Sequence, residues 1–176
     1  MKKKLIAIIG AATVASALLV PTGSAFAADK PTYDDLTAEQ KQAIAVWESP
    51  QPAAKSAAVA PAATQAAARA SYTNRTSLYR GSWLMWANER VDFGSTSTSV
   101  SWSSGFQEAG AVFPNNVTRN GTSRIYSSGS KHTWRGSYTV GAGVPTPWGN
   151  ANVYNATSTA TTNVFSGNGW SASWSG

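Results

Sequence analysis

Apolar and polar residues alternate along several short segments in the C-terminal part of the chain. One segment reads TSVSWS, in which Val100 and Trp102 share one face and serines occupy the other. The same two-residue period recurs between Trp134 and Val140, where it turns Arg135 to the opposite face. Each segment therefore predicts a strand with one buried face, and we expect Trp102 and Trp134 to pack between two sheets.

Turn-forming residues separate such segments at intervals of roughly 8 to 12 residues, which is typical of an all-β sandwich or barrel. Asn120–Gly121 and Gly167–Gly169 are expected to form turns, and the prolines of Pro145–Asn150 to make that stretch a surface loop. The candidate strands are 78–88, 89–94, 97–103, 110–117, 123–127, 132–140, 151–156, 159–165 and 170–175. We therefore predict an antiparallel β-sandwich or barrel of about seven to nine short strands, preceded by a short helix and a flexible linker.

The helix is predicted within residues 28–49. Thr37 and Gln40 match a capping box, and Ile44 and Trp47, three residues apart, share one helix face. Ser49 and the proline after it end the pattern. The following stretch, 50–70, is rich in alanine and proline and carries no large apolar side chain beyond one valine, so it is predicted to be a linker.

Residues 1–27 have the pattern of a secretory signal peptide. Three lysines precede an apolar run from Leu5 to Val20, and Ala25-Phe26-Ala27 is a small-x-small cleavage site. The run falls short of the roughly 20 strongly apolar residues of a membrane span, which disfavours the alternative of an uncleaved anchor. We expect a secreted, extracellular protein with a Trp-rich β domain at 71–176. Segment 28–49 is either a pro-like segment, removed by proteolysis within the linker, or a permanent extension that sits loosely on the domain.

Charge and cysteine content narrow the class of protein. The net charge of +6 falls to +3 once the three N-terminal lysines leave, which is too weak a basic character to favour nucleic acid. A glycan or an anionic cell-envelope surface fits this charge better. The chain has no cysteine, which excludes disulfides and thiolate chemistry and is common in exported bacterial proteins. Oligomeric state stays open.

Catalytic groups are scarce, so we expect no enzyme, no metal and no cofactor. His132 is the single histidine, and a Ser-His-Asp triad would have to combine it with Asp92. A glycosidase pair would need two of three carboxylates, but Glu89 and Asp92 are three apart and would face opposite sides of one strand.

Aromatic residues are abundant by contrast, with seven tryptophans after residue 70. Trp and Tyr rings beside polar donors suit sugar rings and also bilayer interfaces. The predicted binding side chains are Trp148, Trp170, Trp174, Tyr154, Arg124 and Arg135. We expect a non-enzymatic module that binds a cell-wall or environmental glycan or another surface ligand. The alternatives are an antibacterial or membrane-active, bacteriocin-like protein, and a protease inhibitor that presents the loop from Val144 to Gly149.

Overall fold

The computed structural model describes residues 30–56 and 71–176, and two antiparallel sheets with one helix account for most of them. In chain order the elements are α1 (Ala38–Glu48), β1 (Ala54–Ser56), β2 (Tyr72–Arg75), β3 (Leu78–Ser82), β4 (Met85–Ser95), β5 (Val100–Ala111), β6 (Asn116–Ser127), β7 (Lys131–Thr146), β8 (Gly149–Phe165) and β9 (Trp170–Ser175). Two short 3-10 turns lie at Tyr33–Asp35 and Ser166–Asn168. The protein is thus the all-β sandwich with a preceding short helix that the sequence predicts.

The larger sheet has the strand order β1-β9-β8-β7-β6 and is dominated by the long β7–β8 hairpin. Beyond the pair Asn116–Gly141, where β6 begins, the hairpin continues to Thr146 and Gly149. Among the described strands, β8 alone pairs with this part of β7. The region predicted to be a loop is therefore largely strand, and its turn consists of Pro147 and Trp148. Proline is tolerated here because one edge of this arm is unpaired, so the missing N–H need not remove a hydrogen bond between two strands.

The smaller sheet is centred on β4. One edge of β4 pairs with β3 and then with β2, and its other edge pairs with β5 along almost its whole length. Thr76 covers the break between β2 and β3, because its N–H donates to the Val91 carbonyl and its hydroxyl accepts from the Val91 N–H. The sheet is therefore three strands wide, with β4 in the middle.

The core lies between the two sheets and follows from strand alternation. Val91 and Phe93 of β4 and Val164 of β8 are fully buried, as are Tyr138 and Val140 of β7. Because successive side chains point to opposite faces of a strand, the intervening residues of β4 form the outer face of the smaller sheet.

Two predictions from local pattern are wrong because β-bulges intervene. Trp102 is 45% exposed rather than packed between the sheets: Val100 pairs with Ser95 but Trp102 pairs with Gly94, so the extra residue between them reverses the face. Asn120–Gly121 forms no hairpin turn and instead makes a register shift inside β6, where Gly121 has a φ of +102°. Glycine adopts this left-handed conformation without steric cost.

The helix α1 begins at the predicted capping box. The Gln40 N–H donates to the Thr37 hydroxyl over 3.2 Å, and the Thr37 N–H donates to Gln40 Oε1 over 3.0 Å. Ala43, Ile44 and Trp47 form its buried face, as the spacing predicts. They join the same apolar cluster as the strands of both sheets.

Hydrogen bonds tie α1 to both sheets. Trp47 Nε1 donates to Ser158 Oγ in β8 over 3.1 Å, and Arg80 Nε in β3 donates to the Trp47 carbonyl over 2.7 Å. Gln40 Nε2 donates to the Gly143 carbonyl in β7 over 3.0 Å. The helix of segment 28–49 is therefore an integral part of the core rather than a loose extension. Its removal by proteolysis stays a prediction.

The described part of the segment predicted to be a linker, residues 50–56, contains a strand. Ala54–Ser56 forms β1, which pairs antiparallel with β9 in the register Ala54–Ala172 and Ser56–Trp170. An open strand edge binds another backbone whatever its side chains, so a segment poor in large apolar residues can still be held there.

Residues 1–29 and 57–70 lie outside the described part of the chain, and with them lies the predicted signal peptide. Within the described part, no helix combines the length and the apolar character that crossing a bilayer requires.

Candidate functional site

The outer face of the smaller sheet carries a row of aromatic rings. Trp86 of β4 stacks on Tyr79 of β3 with ring centroids 6.1 Å apart and planes 18° from parallel. Phe106 and Trp102 of β5 continue the row, and both are nearly half exposed. We call these four residues, Tyr79, Trp86, Phe106 and Trp102, the aromatic face. Its span along β4, from Trp86 to the partner of Trp102 eight residues later, is about 27 Å at the rise of an extended strand.

Two glycines let the tryptophan rings lie against the sheet. Trp86 pairs with Gly110, where an added Cβ would come within 2.7 Å of the indole nitrogen. Trp102 pairs with Gly94, where an added Cβ would overlap the indole ring. Each ring crosses to the neighbouring strand and covers the glycine there, a pairing that fixes the orientation of an exposed aromatic ring.

Ion pairs fill the space between the rings. Arg75 holds Asp92 with two hydrogen bonds, of 2.6 Å from Nε and 2.9 Å from Nη2. Arg90 contacts the Glu108 carboxylate, which also accepts a 3.1 Å hydrogen bond from Asn88 Nδ2. Two arginines and two carboxylates leave this face close to neutral.

The ion pairs also fix protonation states. The hydrogen bonds from Arg75 lower the pKa of Asp92, and the same bonds raise the pKa of Arg75. Asp92 is therefore ionised at any pH near neutral. It can accept hydrogen bonds but has no proton to give.

Two shallow grooves run between the side chains of this face. One, of about 310 Å³, lies between Trp102 and the Arg75–Asp92 pair. The other, of about 250 Å³, lies between the same pair and Phe106, with Arg90 and Glu108 on its walls. Arg75 and Asp92 belong to both grooves, so the two form one continuous surface with an aromatic ring at each end.

The predicted binding residues do not meet in one place. Trp148 is 95% exposed at the tip of the β7–β8 hairpin. Arg124 and Arg135 are also exposed, on β6 and β7. Arg135 lies eleven residues before Thr146 on β7, or about 35 Å away along the strand, so neither arginine assists Trp148.

The other three predicted residues are engaged in packing. Trp170 is half-buried against both apolar clusters of the core. Trp174 packs edge-on against Tyr138 with centroids 5.4 Å apart, and its Nε1 donates to the Tyr79 carbonyl over 3.2 Å. The Tyr154 hydroxyl donates to Glu48 Oε1 at the end of α1 over 3.0 Å.

The residues of the aromatic face were not among those predicted, although β4 carries a signal for them. Trp86, Asn88, Arg90 and Asp92 alternate with residues that point into the core. The boundary between the candidate strands 78–88 and 89–94 falls inside β4, at Glu89, a charged residue in the inward-facing row. Glu89 is nevertheless fully buried and accepts hydrogen bonds from Thr122 (2.5 Å) and Tyr138 (2.8 Å).

Ser103 and His132 form a hydrogen-bonded pair between the sheets, with 2.7 Å from Oγ to Nδ1. Trp134 Nε1 also donates to Ser103 Oγ over 2.9 Å. Burial lowers the pKa of His132, so the ring is neutral near physiological pH. Asp92, the carboxylate that a triad would need, lies on the outer face of the same sheet, whereas Ser103 points inward. The pair joins the two sheets and has no carboxylate from Asp92 to orient it.

Metal binding finds no support in residues 30–56 and 71–176, where no three His, Asp or Glu side chains are grouped closely enough to share an ion. The grooves of the outer face are lined by aromatic rings, amides, carboxylates and guanidinium groups, all of which can contact a bound ligand.

The chain was compared with known proteins at three levels. No protein-family model, no curated protein and no solved structure matches it.

Proposed function

We propose that this protein is a secreted, non-enzymatic module that binds a glycan of the cell wall or the environment along the aromatic face. One observation carries the proposal: a groove lined by paired charged groups has an exposed aromatic ring at each end, Trp102 at one and Phe106 at the other. The C–H face of a sugar ring stacks on such an aromatic ring while its hydroxyls exchange hydrogen bonds with neighbouring polar groups.

The polar groups are fixed in advance, which favours binding. Arg75 and Asp92 hold each other in a two-bond fork, and Asn88 is held by Glu108. Side chains that are already ordered lose little conformational entropy when a ligand arrives. Because the arginines and carboxylates are balanced, the expected ligand is an uncharged or weakly charged polysaccharide, and its retention is only weakly sensitive to salt.

Hydrolysis of the glycan is disfavoured by the carboxylates that the grooves contain. A glycosidase needs a general acid with a raised pKa near the scissile bond. Burial raises the pKa of Glu89, but that side chain lies inside the sandwich, away from both grooves. The grooves themselves contain two carboxylates, and each is paired with an arginine: Asp92 with Arg75, whose hydrogen bonds lower the pKa of Asp92, and Glu108 with Arg90.

Protease inhibition through the loop from Val144 to Gly149 receives no support from the backbone. Val144 pairs with Ala151 and Pro145 with Asn150 within the β7–β8 hairpin. The main-chain groups that face β8 are thus engaged within the hairpin, and only those of the free edge are left to contact a protease.

The test is retention of purified protein by insoluble polysaccharides: peptidoglycan sacculi, chitin and cellulose. Trp102→Ala removes one ring of the aromatic face, and we expect the dissociation constant for the retaining polysaccharide to rise about tenfold, the effect of roughly 1.4 kcal/mol. Trp148→Ala is the matched control, because it removes an exposed tryptophan from another part of the molecule. If no polysaccharide retains the protein, or if Trp148→Ala alone abolishes retention, the proposed site is wrong.

A further inference from the structure

Three strand turns converge at one end of the sandwich and present apolar side chains to solvent. Leu84, in the turn between β3 and β4, accepts a 2.9 Å hydrogen bond from the Val112 N–H in the turn between β5 and β6. Asn150, at the tip of the β7–β8 hairpin, donates over 2.6 Å to the Pro114 carbonyl in that same turn. These bonds hold the three turns side by side.

The residues at this end are among the most exposed apolar side chains of the described chain. Trp148 is 95% exposed, Trp83 72% and Phe113 69%. We call Trp83, Phe113, Pro114, Pro147 and Trp148 the tip surface. An apolar groove of about 470 Å³ lies between the turns, lined in part by Trp83, Phe113 and Pro114.

The opposite end of the sandwich has a different character. Its turns consist of Ser, Thr, Gly and Asn residues. They are hydrogen-bonded to one another, because the Val100 N–H donates to the Gly129 carbonyl, the Ser166 N–H to the Ser130 carbonyl and the Gly167 N–H to the Thr96 carbonyl. Apolar exposure at one end is therefore not a general property of the turns in this fold.

We propose that the tip surface docks the protein on the surface of a lipid bilayer, with Trp148, Phe113 and Trp83 at the level of the headgroups and the first acyl carbons. Exposed tryptophan prefers this layer, because its ring is apolar and its N–H can remain hydrated. The surface is distinct from the grooves between Phe106 and Trp102, so the inference does not depend on glycan binding.

Backbone hydrogen bonding favours lipid over a polar ligand. The Trp148 N–H donates to Thr146 Oγ1 over 3.3 Å, and Thr146 Oγ1 donates to the Gly149 carbonyl over 2.8 Å. The Asn115 N–H donates to the Val112 carbonyl over 2.9 Å. The prolines of the tip surface carry no N–H at all. A peptide group in an apolar layer costs several kcal/mol unless its hydrogen bonds are made internally, as they are for the N–H groups of Trp148 and Asn115.

The charge distribution specifies the kind of bilayer. No residue of the turns 82–84, 112–115 and 145–150 is charged, and the charged residue that lines the groove is the acidic Glu39. The contact therefore lacks the lysines and arginines that attach proteins to anionic lipids. We expect docking on zwitterionic lipid that resists high salt.

The experiment is sedimentation of the purified protein with phosphatidylcholine vesicles at 0.1 M and 0.5 M NaCl. We expect binding at both salt concentrations, with tryptophan emission quenched by brominated phosphatidylcholine. Trp148→Ser is expected to lower the partition coefficient about tenfold, and Trp148→Ser with Phe113→Ser to lower it further. Trp102→Ser, on the aromatic face, is expected to leave it unchanged.

Failure of the protein to sediment with these vesicles would overturn the inference, and so would an equal loss with Trp102→Ser. Binding restricted to vesicles with anionic lipid, and lost at 0.5 M NaCl, would also contradict it. A dimer in solution that Trp148→Ser converts to monomer, without binding to vesicles, would assign the tip surface to a second copy of the chain. If the polysaccharide that retains the wild type also retains Trp148→Ser, the tip surface and the aromatic face bind their ligands independently.

Discussion

The contribution of α1 to stability can be measured with a single substitution, Trp47→Ala. The Trp47 ring is 1% exposed, contacts the ring of Trp174 with centroids 6.3 Å apart, and lies under the Arg80 guanidinium group, whose carbon is 5.3 Å from the ring centroid. Truncation of a buried tryptophan costs about 3–5 kcal/mol. Loss of the hydrogen bond to Ser158, whose hydroxyl is buried, adds about 1 kcal/mol. We therefore expect the free energy of unfolding to fall by about 4–6 kcal/mol.

The assay is urea unfolding followed by circular dichroism at pH 7. With a dependence on urea of about 2 kcal/mol per molar, the midpoint should fall by about 2–3 M. Val46→Ala is the matched control in the same helix, because Val46 is 37% exposed, lies outside the buried face of α1, and alanine is the better helix former. Its midpoint should change by less than about 0.3 M, an effect of about 0.5 kcal/mol.

A midpoint for Trp47→Ala within about 0.5 M of the wild type would refute the reasoning. It would mean that α1 contributes little to the core and that residues 71–176 hold their structure without it. The large shift would mean the opposite, namely that the β domain needs the helix for most of its stability.

Two further predictions concern Glu89 and Gly94. Burial raises the pKa of Glu89, so the folded protein holds its proton more tightly than the unfolded chain, and the free energy of unfolding should fall as pH rises from the unfolded pKa to the raised one. Glu89→Gln should remove this part of the pH dependence and gain stability relative to the wild type between pH 4 and pH 7 in urea titrations; an unchanged difference between the two proteins would contradict it. In the Glu89→Gln variant the Tyr138 hydroxyl can donate to the Asn88 carbonyl, which lies 3.0 Å away. Gly94→Ala should displace the Trp102 ring and weaken polysaccharide retention about as much as Trp102→Ala, with a small shift in the urea midpoint; full retention would show that the position of this ring is unimportant.

Local patterns predicted the elements whose determinants are local. The capping box of α1 and the alternation around Tyr138 depend on neighbouring residues, and both are found as expected. Trp102 and Asn120–Gly121 depend instead on how two strands align, because a single unpaired residue reverses a face. The alternation of apolar and polar residues along one strand does not show where an unpaired residue lies.

The candidate site was harder to predict than the fold. The aromatic face combines residues from β3, β4 and β5, and its flat rings require glycines on a neighbouring strand. The glycine under Trp86 is 24 residues away along the chain, and the one under Trp102 is set by the register shift between β4 and β5. Glu89 also obscures the alternation of β4. Its carboxylate is buried among apolar residues, whereas a glutamate in a sequence normally indicates a position that faces solvent.

Because β1 pairs with β9, cleavage of the chain after β1 and release of the helical segment would be two separate events. Scission of the chain between β1 and β2 would break one covalent bond, whereas the β1–β9 ladder and the contacts of Trp47 would still join the two pieces. The product would be a nicked protein made of two chains. The two chains would co-elute in size-exclusion chromatography under native conditions and would dissociate only on denaturation. Maturation of such a molecule would require a second step, in which the helix is pulled from the core.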